Sequence, residues 1–152
     1  MFGWLRKTLN PEDAIRQTRT QAETGDSEAQ FRLAVYYIEG KLGDPDTMKA
    51  AQWFGRAAEL GHRDAQYNLG VMYSAGRGVP KDYPLSIKWL RMAAEQNCPD
   101  AQLLLGKFLA RGKGPKGTES EALRWIDLAA EQGNEEAKQL LASMRPKEAV
   151  KA

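Results

Sequence analysis

One cysteine and one histidine occur in 152 residues. That excludes an intrachain disulfide and leaves too few soft ligands for the usual zinc cluster. The cysteine usage suits a reducing, cytoplasmic-type compartment. Long apolar runs are missing, so no segment reads as a membrane span. No secretory leader is expected either: Arg6 and Lys7 follow a short apolar patch, whereas a leader begins with its positive charge. Valine and isoleucine together number 8 against 21 alanines, which points to helices and almost no sheet. An excess of one charge sign is absent as well. With 22 Lys plus Arg against 20 Asp plus Glu, the net charge of +2 argues against a dedicated nucleic-acid binder.

What is present is a globular balance of 42% hydrophobic and 28% charged residues, too apolar for a disordered chain. It is also strongly periodic. Trp53, Trp89 and Trp125 are 36 residues apart, and the same offset links Ala29, Ala65, Ala101 and Ala137, then Leu33, Leu69, Leu105 and Leu141, and Gly40, Gly76 and Gly112. The block Ala-Ala-Glu recurs at 57–59, 93–95 and 129–131. Self-similarity at a fixed period signals a stacked repeat architecture.

Within one period, Ala65, Leu69, Met72 and Tyr73 form an apolar stripe at helical spacing, helix A. Gly76 to Lys81 breaks it, and Asp82 is placed to cap helix B. Ser86, Trp89, Leu90 and Ala93 then share one face, which makes Trp89 a core residue. In the third copy Thr118 and Glu121 have capping-box spacing. Gly61, Asn97 and Gly133 stand where a left-handed residue would end helix B.

Mapping the period onto the ends predicts an N-terminal arm over 1–10 and a single solenoid over 11–144. Within it lie a capping helix over 12–24, repeats over 25–60, 61–96 and 97–132, and a final helix over 135–144, followed by a flexible tail over 145–152. Gln17 and Thr18 replace Trp53 and Phe54 in the first helix, as expected of an end helix whose outer face has no neighbour.

Ala65, Leu69-Gly70, Tyr73, Gly76, Gly78-Val79, Trp89 and Ala93-Ala94-Glu95 together resemble a Sel-like repeat, a branch of the tetratricopeptide superfamily. The resemblance covers about residues 12 to 144. The first copy departs from it with Ala34 for Gly70 and Lys41-Leu42-Gly43 in the turn, and the third with Leu109 for Tyr73 and Pro115 for Val79. The resemblance implies an all-α, right-handed α-solenoid of about four antiparallel helix pairs, with A helices lining the concave side. It also implies a bacterial-type scaffold or adaptor that holds other proteins together.

On a helical wheel the side of helix A opposite Leu69 carries Tyr67, Val71 and Ser74, with Phe31, Val35 and Ile38 as equivalents in the first copy and Leu103, Lys107 and Ala110 in the third. Two readings are open: packing between successive A helices, or a groove for a peptide. The candidate groove is Phe31, Arg32, Val35, Tyr67, Asn68, Val71, Leu103 and Lys107, an apolar floor with polar groups beside it. The turns from B to A are acidic and those from A to B basic, the latter with Lys41, Arg77, Lys81, Arg111, Lys113 and Lys116 as a candidate binding edge. Asp26, His62, Cys98 and Asn134 stand one period apart near the starts of A helices, where a helix N-terminus would activate a thiol at Cys98.

Phe2, Trp4, Leu5 and Leu9 beside Arg6 and Lys7 make the arm a short amphipathic segment. It is suited either to cover the open end of the stack or to rest on a partner or membrane surface. No nucleophile with an adjacent base, phosphate loop or metal cluster is legible, so the expectation is a non-enzyme without cofactor or metal that binds a protein or peptide partner. The alternatives are a membrane-associated scaffold using residues 1–9, a self-associating structural oligomer, and a β-lactam-binding or hydrolysing enzyme. The last follows cysteine-rich secreted relatives, whose disulfides this chain lacks.

Overall fold

Side-chain caps set the helix starts. Asn10, Asp26, Asp46 and Asp82 each accept a hydrogen bond from the backbone N–H three residues on, at 2.7 to 2.9 Å, satisfying a donor that the helix itself leaves unpaired. In the computed structural model, which describes residues 10–116 and 118–144 apart from the side chain of residue 119, the elements are α1 (Pro11–Glu23), α2 (Ser27–Glu39), α3 (Thr47–Glu59), α4 (Arg63–Ala75), α5 (Tyr83–Glu95), α6 (Pro99–Ala110), α7 (Glu119–Glu131) and α8 (Glu135–Met144). Among the described residues there is no strand. The arm over 1–9 and the tail over 145–152 lie outside them, so the two readings of the arm are untouched.

Asn97 takes φ of 59° after α5, where Gly61 and Gly133 take 86° and 90° after α3 and α7. The left-handed residue turns the chain from each B helix into the next A helix. The third-copy start differs from expectation. Thr118 makes no side-chain cap, its hydroxyl instead donating to the Pro115 carbonyl at 2.7 Å. Glu121 accepts from Arg91 of α5 at 2.8 Å rather than closing a capping box. A cross-repeat ion pair takes the place of a local side-chain to backbone hydrogen bond.

Packing follows the pairs α2 with α3, α4 with α5 and α6 with α7, and each B helix also rests on the following A helix. An all-α solenoid results. Small residues set the spacing: at Gly70 a Cβ would lie 2.7 Å from Leu90 Cγ, and at Gly106 2.6 Å from Ile126 Cγ1 and 2.9 Å from the Ala122 carbonyl. Alanines line the same interfaces, with Ala34, Ala50, Ala57, Ala58, Ala65 and Ala93 fully buried, so the abundant alanine lies where helices meet. Thr18 is buried too. It lies inside the stack rather than on an outer face, its hydroxyl donating to the Ala14 carbonyl of its own helix at 2.9 Å, while Gln17 is exposed.

Candidate functional site

The eight candidate groove residues lie on three successive A helices, but they do not form one open floor. Phe31 stacks on the His62 ring with centroids 4.7 Å apart and tilts against Phe54 at 5.6 Å, so it fills a joint between repeats. Val35 is half-buried against the same cluster. Leu103 is 5% exposed in a cluster with Ile126, Ala129 and Ala137, which places it in the core. Tyr67, Leu103 and Lys107 come together around a cleft of about 130 Å³ that also takes in Glu136 of α8. Burial raises the Tyr67 hydroxyl above its ordinary pKa, with the nearby Asp100 carboxylate adding to the effect. Lys107 is ion-paired with Glu136. Asn68 donates to the Asp64 carbonyl of its own helix at 2.8 Å. Arg32, paired with Glu28 at 3.5 Å, instead lines a separate cleft of about 380 Å³ between α1 and α2.

The N-cap series has a role that extends beyond each helix. His62 Nδ1 accepts from Ala65 N–H at 3.2 Å, and its Nε2 lies 3.0 Å from Glu28 of the preceding A helix. This requires the tautomer that carries its proton on Nε2. Asn134 does the same with an amide, accepting from Ala137 N–H at 2.9 Å and donating to Asp100 at 3.1 Å. Glu28 and Asp100 are two periods apart, so each link joins one A helix to the next. The hydrogen bond from His62, with Arg32 beside it, holds the Glu28 carboxyl below its ordinary range. Cys98 occupies the same position without a side-chain cap bond. It is buried in the α5–α6 core cluster, which argues against the accessible thiol its helix-terminal position had suggested.

A second polar series is buried between the helices. Gln30, Gln66 and Gln102 each donate through Nε2 to the carbonyls of Ala22, Ala58 and Ala94, all at 3.1 Å. The freed amide oxygens of Gln66 and Gln102 accept from Gln96 and Gln132 at 2.7 Å. In the first copy the donor's place is taken by Leu60, which is 59% exposed, and Gln30 Oε1 is a buried acceptor with no partner. Both glutamine series follow the 36-residue offset, which is the signal in the sequence that points to their positions though not to their partners.

Along the basic edge, Lys41 pairs with Glu39 and lies over the Tyr36 ring. Lys81 and Lys113 both lie over one ring, Tyr83, each 5.1 Å from its centroid. Arg77, Arg111 and Lys116 are exposed. These residues are therefore spread along successive turns, and Lys113 lines a cleft with Lys88 and Arg91. Among the described residues no helix is long and apolar enough to cross a membrane, and no group of three or more His, Cys, Asp or Glu is placed to hold a metal ion.

The pattern of the Sel1 repeat matches residues 27–62, 63–98 and 99–134. A Sel1 repeat protein of Oxalobacter formigenes is 39% identical with a TM-score of 0.78, over 86% of this chain and 98% of that one. A protective antigen of uropathogenic Escherichia coli displaying the same type of repeat is 38% identical with a TM-score of 0.79, over 85% of this chain and 28% of that one. The cysteine-rich protein B of Helicobacter pylori, at 21% identity and a TM-score of 0.66 over 86% of this chain and 96% of that one, shares the fold. No curated protein matches the sequence. With three contiguous repeats spanning most of its length, the chain belongs to the Sel1 repeat family.

Proposed function

We propose that this chain is a non-catalytic adaptor that holds a peptide or protein segment along its A-helix face. Sel1 repeat proteins generally mediate protein–protein interaction, and the family is mainly non-catalytic. The observation that carries the finer reading is the cleft where Tyr67, Leu103 and Lys107 meet Asp100 and Glu136, because it draws on α4, α6 and α8. A ligand there would touch three successive A helices at once. The half-buried phenol offers an apolar ring with a polar end, and the Lys107–Glu136 pair offers both charges to orient a peptide backbone. Leu103 serves as the buried base of the cleft rather than as a contact surface.

The test is an affinity pull-down with the full chain against the double variant Tyr67→Ala/Val71→Ala and, separately, Lys107→Ala. Both should lose the captured partner while keeping the helical circular-dichroism signal. If helicity collapses in the double variant and capture persists in Lys107→Ala, the face is packing alone.

A further inference from the structure

α3 has a glycine, Gly55, near its middle, where glycine weakens a helix relative to alanine. Gly70 and Gly106 have a packing reason, since a Cβ at either would strike the facing helix. Gly55 has none, because a Cβ there would meet nothing within 4 Å. Its effect is to leave open a cleft of about 290 Å³ between α3 and α5, with Leu69, Tyr73, Val79 and Trp89 among its walls. One period on, Arg91 takes the place of Gly55 and reaches across to Glu121 of α7 at 2.8 Å.

A second cleft of about 400 Å³ lies beside Arg91. Every residue lining it except Lys113 stands one period after a residue lining the first. The two are therefore repeat-related, yet their chemistry has diverged. Arg56 and Glu59 bring opposite charges to the first, beside Gln52 and walls that are mostly apolar or aromatic. The second sets Lys88, Arg91 and Lys113 around an apolar base of Ile87 and two prolines. Arg91 is already bound to Glu121 at 2.8 Å. The clefts adjoin across α5, whose Trp89 lines the first and whose Lys88, with its ammonium 5.2 Å from the Trp89 ring centroid, lines the second.

We propose that these paired clefts on the B-helix face form a second docking surface for an extended acidic peptide. A bulky apolar side chain enters the Gly55 cleft, and a carboxylate lies on the Lys88–Arg91–Lys113 rim. The clefts lie on either side of α5, and a helix is about 10 to 12 Å across with its side chains, which an extended chain covers in about three residues. That sets the spacing between anchor and acid. The apolar base between the cations favours a peptide over a nucleic acid, whose phosphates need no such floor. This surface is independent of the A-helix face.

The test pans a random peptide display library against the full chain, then measures the selected peptides by fluorescence anisotropy. The enriched sequences should carry a large apolar residue about three positions from an Asp or Glu. Gly55→Arg should weaken them at least about tenfold while the melting temperature stays level or rises, since arginine improves helix propensity and its Cβ would meet nothing within 4 Å. Lys88→Glu/Lys113→Glu should weaken them by a similar factor, and Tyr67→Ala/Val71→Ala should leave them unchanged. The proposal is overturned if no acidic sequence is enriched, if Gly55→Arg binds as the parent does, or if only the A-helix variant loses binding. It is overturned equally if the lysine variant loses binding to phosphatidylserine vesicles and not to peptide.

Discussion

The first repeat, α2–α3, and the second, α4–α5, follow one backbone plan with different side chains at equivalent places. Ala34 stands for Gly70, Leu42 for Gly78, Gly55 for Arg91 and Leu60 for Gln96. Where the second repeat satisfies its buried glutamine with a polar link, the first leaves an acceptor unpaired at Gln30 and a leucine exposed in the donor's place. The first repeat relies more on aromatic packing, with Phe54 buried and Phe31 between it and His62. The lesson is that the period fixes where helices lie, while the tightness of each joint is set by single residues.

The largest effect that would break this comparison is expected at Gly78. It takes φ of 72°, and a Cβ there would lie 2.2 Å from the Thr47 carbonyl oxygen at the start of α3. Gly78→Ala combines left-handed strain with overpacking and should cost about 3 kcal/mol, read from urea unfolding. The first copy holds Leu42 at that place, outside the positive-φ region and partly buried against Ala22, Ala29 and Leu33.

Next comes Gly70→Ala, which should lose about 2 kcal/mol because Leu90 and the Ser86 carbonyl leave no room for a methyl. Helix propensity acting alone would instead add roughly 1 kcal/mol. The sign of the change in urea midpoint therefore decides whether interface sterics or local preference governs the joint. Ala34 in the first copy is fully buried, showing that a methyl is tolerated when Phe54 and Ala50 replace Leu90 and Ser86 opposite it.

Leu60→Gln should sharpen the comparison in the opposite direction. It supplies the donor that Gln30 Oε1 lacks and removes an exposed leucine, for a gain of about 1 kcal/mol and a higher melting temperature. An unchanged value would mean that the Gln30 oxygen is already hydrated.

The smallest effect is pH-dependent. The Glu28 carboxyl, lowered chiefly by its hydrogen bond to His62, contributes stability that is present above its ordinary value of 4.5 and lost as the pH falls through its lower folded value. Glu28→Gln should flatten that part of the curve, measured by urea unfolding between about pH 3 and 6. Because the carboxyl is mostly exposed, solvent screening keeps the change small.

The 36-residue offset made the element order legible before any coordinates, since Trp, Leu and Ala at fixed places must all face one stack. Asp82 as a cap and Asn97 as a left-handed terminator were equally legible, because each acts within a few residues of itself. The failures share a cause. Thr118 with Glu121 has the spacing of a capping box, but Arg91 lies thirty residues away in the chain and close in space. Leu103 has the wheel position of a groove residue, but α7 and α8 bury it. Of the candidate groove, Tyr67 and Lys107 share a cleft with Leu103, while Arg32 and Phe31 belong to other neighbourhoods.

By itself the sequence determined that this chain is an all-α array of 36-residue repeats with helix pairs, polar caps and alanine-rich joints. Those properties depend on periodicity and on local hydrogen bonding, which a linear string carries in full. Only the tertiary structure decided that Gln66 meets Gln96, that His62 bridges to Glu28, that Cys98 is buried, and that Gly55 and its sister Arg91 line two clefts of different chemistry. Such contacts depend on distances between side chains about 30 residues apart or more, or on whether space beside a backbone is filled, and no local pattern encodes either.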